Sequence, residues 1–215
     1  MRPIKWIVLG ALTLTAACAS QKPLIEEEEE DAEYEESSAP ETPDAAELTR
    51  VAAEEGFEVR MPGPPPEPIR NKVTIPAGDV ATAAWTRQVD GVIYSISTAD
   101  YPEKIVASRP AEAFLNEAEE GLRNQLKGQV TRRELITLDG YPGRDFTVSS
   151  PVGEVRGRHF MVGPRLYTLL VLYNPSIGAP HIEEFLTSLQ LVSPPPPIPV
   201  KQRTSAPEAG TTPTP

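Results

Sequence analysis

The chain has 215 residues with 31 acidic and 20 basic side chains, a formal net charge of −11 and a pI near 4.8. Such a balance excludes binding driven by phosphate contacts, which needs a basic face, and adhesion to anionic lipid by charge alone. Ala19 to Glu55 carries 14 acidic and 2 basic residues, whereas Gly56 to Ser193 carries 16 and 14, so the acidity belongs to one stretch and the rest is nearly neutral.

At the N-terminus, Arg2 and Lys5 precede an apolar run from Trp6 to Leu14 and the small residues Thr15-Ala16-Ala17. This order is that of a secretory signal, and the run is shorter than the ~20 apolar residues a membrane span needs. Cys18, the single cysteine, follows at the cleavage point. Leu14-Thr15-Ala16-Ala17-Cys18 resembles the lipobox of bacterial lipoproteins, with leucine one place earlier than usual. The resemblance implies cleavage before Cys18 and acylation there with diacylglycerol and a further chain such as palmitate. Two or three acyl chains anchor stably. Ala19 is not the aspartate that marks inner-membrane retention, so the expected place is the bacterial outer membrane, periplasmic or surface face left open.

Glu26 to Glu30 is an unbroken acidic run, followed by Asp31, Glu33, Glu35 and Glu36. Self-repulsion predicts an extended tether over 18–55. A loose cation- or partner-binding strip is the alternative. AELTRVAAEE, ending at Glu55, reads as a short helix.

From there the pattern changes. Phe57-Glu58-Val59-Arg60-Met61 alternates as a half-buried strand does, and Pro64 to Pro66 stop it. Asn71 to Ile75 is a candidate second strand. Val80 to Gln88 and Gly91 to Thr98 read as a hairpin turning at Asp90-Gly91. The clearest helix runs from Ser108 to Lys127, with Phe114, Leu115, Ala118, Leu122 and Leu126 on one stripe, Ser108 as cap and Gly128 as stop. A meander follows: Gln129 to Leu138, a turn at Asp139-Gly140, Tyr141 to Ser149, Glu154 to Val162, a turn at Gly163-Pro164, and the apolar Arg165 to Tyr173. The last of these is expected to be central and covered on both faces. Ala179 to Leu189 repeats Ile182, Phe185, Leu186 and Leu189 at helical spacing. Pro194 to Pro197 open a proline-rich tail, 194–215, that buries too little to order.

The predicted fold is α+β: an antiparallel sheet of about six strands packed by a long central helix and a C-terminal helix, with disordered N- and C-terminal tails. The divisions are a signal peptide over 1–17, the tether over 18–55, the domain over 56–193 and the tail over 194–215. Three stretches carry a resemblance. They are FEVRMPGPPP, the run from Leu138 to Asp145, and Arg158 to Tyr167 followed by a buried strand and Phe185-Leu186-Thr187-Ser188-Leu189. Together they resemble the PsbP/DcrB-like family of α/β sandwiches. The resemblance implies an accessory protein, non-enzymatic, often working at a membrane surface.

Catalytic chemistry has thin support. His159 stands in a strand where Asp145 or Arg144 can face it, and a general base there needs a hydroxyl such as Thr147 or Ser149. His181 with Glu183 and Glu184 is the nearest approach to a metal-ligand spacing. No G-x-S-x-G, P-loop or G-x-G-x-x-G occurs. No cofactor is expected. The sharper feature is a set of arginines in the meander: Arg132, Arg133, Arg144, Arg156, Arg158 and Arg165. On one sheet face they would dock an anionic partner or the chain's own glutamate run; otherwise they are a solvated face paired across strands. The expected function is a lipid-anchored, non-catalytic binding or assembly module with an envelope protein as partner. The alternatives are an envelope hydrolase using His159 and a structural spacer acting through its tails.

Overall fold

The computed structural model describes residues 47–76 and 78–199. The signal segment, Cys18, the glutamate run and the tail beyond residue 199 lie outside them. Among the described residues the elements are strands β1 (Leu48–Ala53), β2 (Phe57–Pro62), β3 (Ile69–Ile75), β4 (Gly78–Val89) and β5 (Val92–Asp100), then helices α1 (Glu103–Val106) and α2 (Ala111–Leu126). Strands β6 (Gln129–Leu138), β7 (Tyr141–Ser150), β8 (Gly153–Val162) and β9 (Arg165–Tyr173) follow, with α3 (Ile182–Leu186) and β10 (Gln190–Leu191) at the end.

Strands dominate. They form two antiparallel sheets, one of seven strands in the order β3-β4-β5-β9-β8-β7-β6 and one of three in the order β1-β2-β10. This overturns the expected α+β architecture, an antiparallel sheet of about six strands packed by a long central helix and a C-terminal helix. Two elements account for much of the difference. AELTRVAAEE is rich in helix formers, yet Leu48–Ala53 pairs along its length with β2 and buries Val51, so tertiary pairing overrides local preference. The closing helix is five residues, because His181 takes a left-handed conformation (φ 57°) just before it and Thr187 ends it.

The hairpins form where glycine lets the chain reverse. Asp90-Gly91 (φ 49° and 79°) joins β4 to β5, and Asp139-Gly140 (φ 50° and 83°) joins β6 to β7. Both pairs are left-handed at two successive positions, as a tight turn between twisted strands requires. β9 lies between β5 and β8, the central place its apolar sequence predicts; Tyr167, Leu169 and Val171 are fully covered on one face, while Leu170 and Leu172 on the other are only partly buried.

Each face of the large sheet is covered differently. On one face the three-stranded sheet and α3 close a core of Phe57, Val59, Met61, Trp85, Tyr94, Ile96, Tyr167, Leu169 and Phe185. Phe57 meets Trp85 and Tyr167 edge-on at 5.0 and 5.8 Å. On the other face α1 and α2 bring Ile105, Phe114, Leu115 and Leu122 down on Ala99, Leu166, Phe146 and Val148. Phe114 and Leu115, each 1 % exposed, contribute about 1.5–3 kcal/mol apiece by burial. Pro110 rather than Ser108 precedes α2, and Lys127 in a left-handed conformation closes it, one place before Gly128. Strand β8 passes under the helix side with Gly157, where an added Cβ would sit 2.5 Å from Phe146 Cζ and 2.7 Å from Leu170 Cδ2.

Candidate functional site

Alternation along a strand sends successive side chains to opposite faces. Cross-strand register therefore sorts the meander arginines. Thr147 pairs with both Arg132 and Arg156, Asp145 pairs with Arg158, and Glu154 pairs with Tyr173. All of these point to the face that carries α3, where they line a polar cleft of about 440 Å³ bounded by Glu183 of the helix. Arg133 and Arg144 point to the other face, toward α2, since they pair with Phe146 and His159. Arg165 sits at the far end of β9. Three of the six arginines come together in the cleft, two meet on the opposite face, and Arg165 stands apart.

Asp145 organises the cleft. Its side chain is 3 % exposed and accepts hydrogen bonds from Arg132 Nη1 at 2.7 Å and Arg158 Nε at 2.8 Å. A carboxylate so buried must be paired, and these charge-assisted bonds supply the pairing. Arg158 also donates Nη1 to the Leu186 carbonyl at 3.4 Å, tying the last turn of α3 to β8. Arg132 further meets Glu134 at 2.7 Å. At the other end the Tyr173 hydroxyl donates to Glu154. Burial, reinforced by Glu154, pushes that phenol up to about 12, so it stays a protonated donor.

Arg156 is held differently. Its Nη2 donates to Glu183 Oε1 at 2.7 Å, and Glu183 is 59 % exposed. Its Nε is buried with no hydrogen-bond partner among the described residues. The cleft thus carries Arg132, Arg156 and Arg158 against Asp145, Glu154 and Glu183, a formal balance of zero. A balanced lining does not attract a polyanion by field alone.

The opposite face holds a separate cluster. Glu119 of α2, 3 % exposed at its side chain, accepts from Arg133 Nε at 3.0 Å and Arg144 Nη1 at 3.4 Å; Arg144 Nη1 also donates to Asn116 Oδ1 at 2.6 Å. His159 lies beside it, 2 % exposed, stacked on Phe146 at 4.6 Å and bonded through Nδ1 to Thr168 Oγ1 at 2.9 Å. Burial first, and then Arg144, hold the imidazole down at about 3. It is neutral at physiological pH and, among the described residues, is paired with no carboxylate. Thr147 and Ser149, the hydroxyls expected near it, pair with Arg156 and Glu154 on the cleft face. A hydrolytic base is not built here.

Arg165 grips Asp100 with two bonds of 2.6 and 2.8 Å, donates to the Glu55 carbonyl and lies over the Tyr167 ring. It clasps the β1–β2 loop to the large sheet. His181 Nδ1 lies 3.9 Å from Glu184, and among the described residues no group of three or more histidine, cysteine or acidic side chains is arranged to hold a metal. Within the same residues no helix is long and apolar enough to cross a membrane.

Asp145, Thr147, Glu154, Tyr173 and Glu183 belong to the cleft and were absent from the sequence-derived arginine set. The i, i+2 spacing of Glu154, Arg156 and Arg158 on one strand is the signal that could have gathered part of it.

Solved structures similar to this chain include a pair from bacteria. One is the solution structure of a cyanobacterial PsbP (CyanoP) from Synechocystis sp. PCC 6803, at 10 % identity and a TM-score of 0.46, covering 72 % of this chain and 98 % of that one. The other is a crystal structure of a Pseudomonas aeruginosa protein of unknown function, at 14 % identity and a TM-score of 0.30, covering 61 % and 85 %. No protein-family model matches the chain, and no curated protein does. At these similarities function has to be argued from the chain's own residues.

Proposed function

We propose that this chain is a lipid-anchored envelope protein that binds a partner without catalysis, the cleft beside α3 being the binding surface. The observation that carries the reading is the arrangement of the large sheet. Polar groups of both signs are gathered in an open cleft beside α3, while the one histidine of the sheet is sealed, neutral, on the opposite face. The lipobox-like Leu14-Thr15-Ala16-Ala17-Cys18 supports the anchor, with cleavage before Cys18 and attachment at its thiol. The acidic stretch supports a tether that extends by self-repulsion and sets the reach of the domain from the outer membrane.

Two experiments test the two halves. Intact mass of the membrane-extracted protein, beside Cys18→Ser, should show cleavage before Cys18 and acyl chains that the variant lacks; a mass without lipid ends the anchor reading. Crosslinking in isolated envelopes should capture a partner with wild type and lose it with Arg156→Glu, the fold being checked by circular dichroism. Capture that survives Arg156→Glu but vanishes when residues 194–215 are removed would make the tail the binding element and the domain a spacer.

A further inference from the structure

The cleft does not offer its three arginines equally. Arg132 and Arg158 are committed to Asp145, whose carboxylate is 3 % exposed and would be a buried, unpaired charge without them. Arg156 has a different partner: Glu183 stands 59 % exposed on a five-residue helix and is free to rotate into water. An ion pair with one member so exposed is worth little and exchanges readily. Arg156 also keeps a buried Nε with no partner among the described residues, a donor that a second oxygen could satisfy.

Resting on the partner-binding reading above, the geometry points to Arg156 as a receptor for one carboxylate of a peptide ligand, with Glu183 as the internal group that the ligand displaces. Guanidinium and carboxylate match as fork to fork, two parallel N–H···O bonds, where Glu183 makes one. Thr147 lies directly across from Arg156 in register, and its hydroxyl is the neighbouring group to which the same carboxylate could bond. A single charge is the stoichiometry that fits. The lining balances to zero, so a ligand that ejects Glu183 restores the balance with one negative charge. A run such as Glu26 to Glu30 carries five negative charges where the departure of Glu183 vacates one.

The test uses the full chain and acetyl-tetra-alanine with a free C-terminal carboxylate, followed by amide chemical shifts. The free acid should move the signals of Thr147, Arg156 and Glu183, and its C-terminally amidated twin should not. Arg156→Gln should abolish the response. Glu183→Gln should tighten binding by roughly two- to five-fold, because it removes the competitor. An equal response to the amidated peptide, or a Glu183→Gln variant that binds no better, overturns the inference. So does an amidated penta-glutamate peptide that binds more tightly than the free acid, since the site would then take a polyanion. If envelope capture depends on Arg156 while the free acid leaves the spectrum unmoved, partner binding stands and the carboxylate assignment alone falls. If capture is also indifferent to Arg156, both fall.

Discussion

Asp145 and His159 sit on adjacent strands and face opposite sides of the sheet: Asp145 is paired with Arg158 in the cleft, and His159 is paired with Arg144 beneath α2. One step of register separates a catalytic-looking dyad from two unrelated environments. The carboxylate, itself buried, is stabilised by the two guanidinium groups of the cleft. The imidazole is kept uncharged by the interior.

That imidazole makes stability depend on pH. His159 is held at about 3 in the folded chain against an unfolded value near 6.5, so between those values the unfolded chain binds the extra proton. Stability should be fully present above about 6.5 and fall as pH drops toward 3, by no more than about 1.4 kcal/mol per pH unit from this residue. Urea denaturation of wild type and His159→Leu at pH 7 and pH 4.5 checks it. The variant should lose less between the two; an identical loss would show that His159 is not the group titrating.

The two arginine ties in the cleft should differ in strength. Asp145→Ala strips two guanidinium groups of a buried acceptor and should cost about 1–3 kcal/mol. Arg156→Gln breaks an exposed pair and should cost under about 1 kcal/mol. Chemical denaturation midpoints read both. A reversal of the order would mean that Glu183, not Asp145, fastens α3 to the sheet.

Two glycine replacements should have opposite signs. Gly157→Ala drives a methyl group into Phe146 and Leu170 and should destabilise by about 1–3 kcal/mol. Gly121→Ala, in the middle of α2 with nothing within 4 Å of the new carbon, should stabilise by about 0.5–1 kcal/mol through helix propensity. Thermal melts of the pair give the comparison.

Phe114 anchors α2 to the sheet, with Tyr101 edge-on at 5.0 Å and Arg109 over its ring at 4.8 Å. Phe114→Ala should cost about 3–5 kcal/mol, and amide exchange should speed up in α2 more than in β9. Uniform acceleration across both elements would mean that the helix does not open separately.

Much of the large sheet was legible because its signals are local. Asp90-Gly91 and Asp139-Gly140 name their turns, the stripe from Phe114 to Leu126 names its helix, and the apolar run from Leu166 to Leu172 names the central strand. What escaped depends on distant partners. Nothing inside LTRVAA says that β2 will accept it, and a two-residue strand such as Gln190–Leu191 has no periodicity to detect. The cleft was half visible. Arg156 and Arg158 share a face by spacing alone. Whether Arg132 or Arg133 joins them is settled by the irregularity in β6 between Val130 and Arg132, which no local pattern announces.

The small sheet has a mechanical meaning. β1 enters opposite Pro62, at one end of β2, and β10 leaves opposite Phe57, at the other, where Val192 and Ser193 both donate to the Gly56 carbonyl. Tension drawn between Leu48 and Leu191 therefore runs along β2 and loads its lateral hydrogen bonds together, in shear, instead of peeling them singly. A pull from the N-terminal side meets these three strands first, ahead of the seven-stranded sheet on which the cleft is written.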